Sequence, residues 1–141
     1  MKARFTVDGE PVGKGRPRFS RAANGRTITR TPEATVAYEQ LVVCEYKKQC
    51  GSSRFDDEDR ICIKVVAYFA IPTTASKNKR RDMENGIIRP TKKPDSDNIL
   101  KIICDALNTV AYKDDTQIVD AIVSKYYSDH PRVEVILQTA R

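Results

Sequence analysis

The 141 residues, 40% hydrophobic and 31% charged with a net charge of +6, match one domain and hold enough apolar material for a modest core. The longest apolar run, Val65 to Ile71, falls far short of the ~20 residues a bilayer span needs, and no apolar block marks the N-terminus as a signal peptide, so membrane and secreted classes are disfavoured. Cys44, Cys50, Cys62 and Cys104 form neither C-x-x-C pairs nor the density of a disulfide framework, and read as free thiols in a reducing cytoplasm.

In chain order, Ala3 to Val7 predicts a short strand, followed by a loop from Gly9 to Pro17 with three glycines and two prolines. Within it, Gly13-Lys14-Gly15-Arg16-Pro17-Arg18 could lay backbone N–H groups and cations along a phosphate chain, although the P-loop spacing is absent and nucleotide hydrolysis gains little support. Pro32 to about Gln49 predicts a helix, with Thr31 able to cap it and Val36, Leu41, Val43 and Cys44 as its apolar positions. Asp56, Asp57, Glu58 and Asp59 read as a solvated turn in preference to a metal site, since nothing apolar fixes their geometry. Arg60 to Ile71 is β-branched and aromatic and predicts a strand in the middle of a sheet. Ser96 to about Val110 is the best helix of the chain. Ile118 to Tyr127 and Arg132 to Thr139 predict strands joined by the turn Ser128-Asp129-His130-Pro131, with Val133, Val135 and Leu137 on one face. These elements predict a single α+β domain over residues 1–141, a mixed sheet packed by two main helices, without repeats or a linker.

Charge is unevenly spread. Residues 1–30 carry eight Lys/Arg against Asp8 and Glu10, and residues 73–93 carry Lys77, Lys79, Arg80, Arg81, Arg89, Lys92 and Lys93 against Asp82 and Glu84. The remainder is net acidic. Both basic segments are rich in Gly, Pro, Asn, Ser or Thr, the composition of exposed loops, and a polyanion is their natural partner. Lys14, Arg16, Arg18, Lys77, Lys79, Arg80, Arg81, Lys92 and Lys93 are the candidate DNA-binding residues.

The most informative run is Lys92-Lys93-Pro94-Asp95-Ser96-Asp97-Asn98-Ile99-Leu100-Lys101. An extended entry would alternate Asp95 and Asp97 so that both point one way, and Asp97, Lys101, Asp105 and Asn108 then follow at helical spacing within an arc of roughly 80°. A narrow charged stripe on an otherwise apolar helix is suited to lining a cleft. The plainer alternative is a helix cap worth ~1 kcal/mol and an i,i+4 ion pair worth ~0.2–0.5 kcal/mol, which accounts better for one carboxylate than for two. Asp114 and Asp115 form a second acidic pair that a turn alone would explain. Taken together, carboxylates within ~4 Å repel by about 4 kcal/mol per pair at an effective dielectric near 20, a cost that a divalent cation removes. Hard oxygen donors without His or Cys suit Mg²⁺, with Mn²⁺ able to substitute. Phosphodiester hydrolysis uses such a centre, with Lys101 orienting or helping to deprotonate the water or stabilising transition-state oxygens.

At these residues the chain resembles the RusA family of Holliday-junction resolvases, metal-dependent endonucleases that cut four-way DNA junctions. The similarity runs through Gly9-Glu10-Pro11-Val12-Gly13-Lys14-Gly15-Arg16-Pro17-Arg18, the segment Pro90 to Asn98 with Lys101, Asp105-Ala106-Leu107-Asn108, and Tyr112-Lys113-Asp114-Asp115 with Gln117-Ile118-Val119. The resemblance implies catalytic aspartates at Asp95, Asp97 and Asp115, the same three as metal ligands, an essential lysine at Lys101, and a symmetric homodimer acting on branched DNA in recombination and repair. Asp114 is the less certain half of its pair, Asp120 is set aside, and His130 reads as structural. Tyr126 and Tyr127 serve strand packing more readily than base stacking. The rival readings are a structure-selective DNA-binding module without catalysis, and a flap or fork nuclease on the same scaffold.

Overall fold

Alternation of apolar and polar residues builds the frame of the molecule. A computed structural model describes residues 1–141. Strands β1 (Lys2–Asp8), β4 (Ile61–Ala70), β5 (Ile118–Ser128) and β6 (Arg132–Thr139) form one mixed sheet in the order β1-β6-β4-β5. β6 is antiparallel to β1 and β4, while β4 and β5 run parallel. A parallel pair requires a crossover, and this one carries α2 (Lys77–Glu84) and α3 (Ser96–Leu107). Ala3, Phe5 and Val7, the odd-numbered residues from Ile61 to Phe69, and Val133, Val135 and Leu137 are all buried on one sheet face. Helices α1 (Glu33–Cys50) and α3 cover that face, sealing a single core. Phe5 meets Tyr46 edge to face with centroids 5.4 Å apart, a favoured aromatic geometry.

Several expectations are corrected. Ser128 to Pro131 does not join a hairpin, because β4 lies between β5 and β6 and occupies the inner edge of both. β4 is internal as expected, with both edges hydrogen-bonded. The buried positions of α1 are Thr35, Tyr38, Val42 and Tyr46, whereas Val36, Leu41 and Cys44 are exposed. A stripe of period four on two tyrosines and a valine therefore outcompetes the aliphatic positions. Thr31 does not cap that helix; its N-cap residue is Pro32, which offers no side-chain cap. α3 ends at Leu107, with Asn108 at its C-cap.

The two basic segments are not wholly loops. Residues 18–30 contain an antiparallel ribbon, β2 (Arg18–Arg21) with β3 (Thr27–Arg30), and residues 77–84 are the helix α2. Three helices are therefore present where two main ones were expected. No helix is long and apolar enough to cross a membrane.

Candidate active site

The site is built around the first turn of α3. Asp95 is its N-cap, and the Asp95 Oδ1 accepts the Asn98 backbone N–H at 2.9 Å. Asp95 is extended, as expected of the entry, but the helix begins at Ser96, so Asp97 lies in its first turn and the two aspartates border different clefts. Asp95 faces a cleft of about 710 Å³ with Lys14, Arg16, Lys93 and Asn98. Asp97 instead shares a cleft of about 350 Å³ with Lys101 and Asp115, floored by Leu100, Cys104, Ile118 and Ala121. Ile99, Ile102, Ile103, Ala106 and Leu107 are buried, but only half of the expected charged stripe lines this cleft: Asp97 and Lys101 do, while Asp105 pairs with Lys14 beside another groove and Asn108 caps the helix.

Asp115 reaches this cleft from the 3₁₀ turn Asp115–Gln117. Its backbone N–H donates to Asn108 Oδ1 at 2.9 Å, so the C-cap residue of α3 fixes the turn against the helix. Asp114 serves the turn itself, accepting the Thr116 hydroxyl at 2.8 Å. Gln117 accepts from the backbone N–H groups of Lys113 and Asp114 and donates to the carbonyls of Asp56 and Asp59. It thus ties the turn to the acidic loop, which has no ligand geometry.

Beneath the cleft lies an ionic network that the sequence did not announce. Lys14 Nζ stands 3.0 Å from Glu39 of α1 and 3.1 Å from Asp105 of α3, and all three side chains are only about one-fifth exposed (20%, 21% and 20%). Burial alone would lower the Lys14 pKa, but its bonds to the two carboxylates outweigh that and hold it above the ordinary lysine value. Asp105 also stands 3.5 Å from Lys101, whose side chain is 62% exposed. Lys14 is therefore an internal tie between α1 and α3 that also lines the cleft of Arg16, Lys93 and Asp95, a structural role its placement among the DNA-binding residues did not foresee.

The neighbouring amides are also committed: Lys14 N–H donates to the Asn98 carbonyl and Gly15 N–H to Thr35 Oγ1, both at 3.0 Å. They are not free to cradle phosphate. The two glycines serve close approach instead. A Cβ on Gly13 would lie 2.8 Å from Pro94 Cβ, and one on Gly15 would lie 2.7 Å from Thr35 Oγ1.

Burial pushes the Cys104 thiol up to about 11, with Asp115 and Asp105 adding to the rise. It stays a neutral thiol at the cleft floor, unsuited to nucleophilic or ligand chemistry. No three His, Cys, Asp or Glu side chains converge tightly enough to cage a metal ion. Two carboxylates open to solvent nonetheless fit Mg²⁺ or Mn²⁺, which keep several waters and complete their shell with phosphate oxygens. With no histidine or cysteine thiolate beside them they fit zinc less well, since its sites are built mainly on nitrogen and sulfur ligands.

Other candidates fall elsewhere. Asp120 lines a separate pocket with Lys2, Gln138 and Arg141. His130 is exposed and stands 3.1 Å from Asp8. Tyr126 stacks on Tyr68 and lies under the Arg89 guanidinium at 4.1 Å, so it anchors the chain that follows α2.

A family model, endodeoxyribonuclease RusA, matches residues 8–138. The chain belongs to the RusA family. This makes it a member of a family of Holliday-junction endonucleases, and the resemblance seen in its motifs is thereby established over nearly its whole length. It is also 41% identical over 135 residues, 96% of this chain and 94% of the relative, to the Bacillus subtilis (strain 168) protein YqaN, described as uncharacterized.

Proposed function

We propose that this RusA-family chain is a divalent-metal-dependent endonuclease that resolves four-way DNA junctions in recombination and repair, working in the cytoplasm as a homodimer. The observation that carries the reading is the meeting of Asp97 and Lys101, neighbours on α3, with Asp115 of the separate 3₁₀ turn in one small cleft.

In this reading Asp97 and Asp115 hold the cation, Mg²⁺ or Mn²⁺. Asp95 completes the acidic set from the adjoining cleft, where its Oδ1 is engaged by the Asn98 amide. The metal, when bound, neutralises the scissile phosphate and lowers the pKa of an attacking water. Lys101 reaches the cleft from one turn beyond Asp97, with Asp105 drawing on only one side of its ammonium. It orients the water or stabilises charge gathering on the phosphate oxygens. Asn108 is a positioning residue for Asp115.

The DNA track is basic on both sides. Arg16 and Lys93 border Asp95, Arg18 lies on the ribbon, Lys77, Lys79, Arg80 and Arg81 lie on α2, and Lys92 lies just before α3. The first turn of α2 holds cations and no acid, which opposes the helix dipole by about 0.3–1 kcal/mol per charge. A phosphate chain alongside would reverse that penalty. Two opposed strands of a junction require two cleavage sites, which a twofold pair supplies. The exposed Val119 and Ile122 on edge strand β5 offer apolar surface to a second copy.

Incubation with a labelled four-way junction tests the proposal. The wild-type chain is expected to nick opposed strands in Mg²⁺ or Mn²⁺, and Asp97→Asn to bind the junction without cutting it. Binding without nicking by the wild type in either metal would leave a non-catalytic DNA-binding module; preferred cutting of flaps or forks would change the substrate.

A further inference from the structure

The β2–β3 ribbon has no structural reason to carry its side chains. Its strands pair only with each other, and an isolated two-stranded hairpin is marginal in water. Its tip is tied locally, by the Ala22 N–H to Arg26 carbonyl bond at 2.8 Å and by Asn24 Oδ1 accepting the Arg26 N–H at 3.1 Å. Seven of its eight strand residues are exposed.

Phe19 stands at its centre and is 71% exposed, whereas Phe5, Phe55 and Phe69 are each 2% exposed or less. In this chain a phenylalanine is a core residue, with this one exception. Between Glu10 and Glu33 there is no acidic residue, while Arg18, Arg21, Arg26 and Arg30 all lie on the ribbon. None of these four guanidinium groups forms an ion pair within the chain, as the pairs lie elsewhere. Arg18 and Arg30 are directly opposed, and like charges so placed destabilise a strand pair. The pairing also sets Phe19 and Arg21 on one ribbon face, with Thr27 and Thr29 across from them.

We propose that this ribbon is a second DNA-contacting arm, in which Phe19 stacks on a base left unpaired at the branch point while the four arginines grip the flanking phosphates. Phe19 with Arg21 on the same ribbon face fits a nucleobase beside a phosphate, Arg26 extends the cationic surface at the tip, Arg18 and Arg30 hold the other face, and every base offers a π-face whatever its identity. The arm therefore recognises DNA structure without reading sequence. Its phosphates also relieve the Arg18–Arg30 repulsion, so DNA binding and ribbon order reinforce each other. The proposal rests on the branched-DNA reading above but not on catalysis.

The test is equilibrium binding of the full chain in EDTA, where nothing is cut, to a four-way junction carrying 2-aminopurine at the branch point and to a linear duplex of equal length. Phe19→Ala is expected to weaken junction binding on the order of 10-fold, leave duplex affinity unchanged, and abolish the quenching that the wild type produces. Phe19→Trp should restore both signals. Arg21→Gln with Arg26→Gln should flatten the salt dependence by about 0.9 per lost phosphate contact. Wild-type junction affinity and quenching in Phe19→Ala would overturn the stacking role, as would a Phe19→Ala change confined to sedimentation, which would assign the residue to a contact between copies. A wild type that binds no DNA would overturn both this proposal and the DNA reading. A Phe19-dependent binder that never nicks would leave the arm standing and remove only the nuclease.

Discussion

Replacing Lys14 by Met separates an internal tie from a DNA contact. The substitution keeps most of the aliphatic stem and removes the ammonium that lies 3.0 Å from Glu39 and 3.1 Å from Asp105. Each pair is worth about 5 kcal/mol in Coulomb energy at an effective dielectric near 20, before desolvation is subtracted. Removing one partner of a fully buried pair costs roughly 3–5 kcal/mol, and residual water contact at one-fifth exposure brings the expected loss to about 2–3 kcal/mol. For a domain of this size that lowers Tm by roughly 5–10 °C, readable by circular dichroism.

The pH dependence has a definite sign. The Lys14 pKa is raised in the folded chain, so its contribution is fully present below the unfolded value near 10.5 and is lost as pH climbs through the folded value. The gap between wild type and variant should stay constant from neutrality to about pH 10 and close above it. Lys14 lines the cleft of Arg16 and Lys93, but its ammonium is already engaged by Glu39 and Asp105, so the salt slope of DNA binding should not change. A variant of wild-type stability whose slope falls by about 0.9 would refute the internal tie and make Lys14 a phosphate ligand.

Gly15→Ala puts a Cβ 2.7 Å from Thr35 Oγ1 and 2.9 Å from Pro32 Cγ and should cost about 1–3 kcal/mol in thermal unfolding; an unchanged Tm would show that the loop moves freely. Asn108→Ala removes the acceptor that holds the Asp115 backbone, so single-turnover cleavage should fall well beyond the ~1 kcal/mol loss of stability while junction affinity holds; cleavage at the wild-type rate would mean that Asp115 needs no such support. Changing Lys79, Arg80 and Arg81 together to Gln should weaken binding to all DNA shapes and flatten its salt dependence by roughly 0.9 per contact, and an unchanged slope would take α2 off the DNA track.

The readable parts of the fold were those in which one physical requirement dominates. β6 alternates strictly and α3 carries an apolar pattern at helical spacing, so period located them, while the β-branched and aromatic content of β4 located that strand. α2 buries only Met83 and the β2–β3 ribbon has no apolar face, so neither leaves a hydrophobic pattern. The neighbours of β5 and β6 depend on the two edges of β4, a tertiary choice invisible in their own residues. The packing role of Gly13 and Gly15 was not legible, because glycine beside lysine serves a phosphate cradle and a tight helix contact equally well. In the site, the i,i+4 spacing of Asp97 and Lys101 was legible. The separation of Asp95 from Asp97 depended on one residue of helix boundary, the least determined feature of a sequence pattern.

Anomalous diffraction from crystals soaked in Mn²⁺ tests the central claim most directly. The account predicts a peak in the cleft bounded by Asp97 and Asp115, absent from Asp97→Asn crystals grown and soaked alike. A vacant cleft in the wild type, with manganese bound elsewhere or not at all, would contradict it.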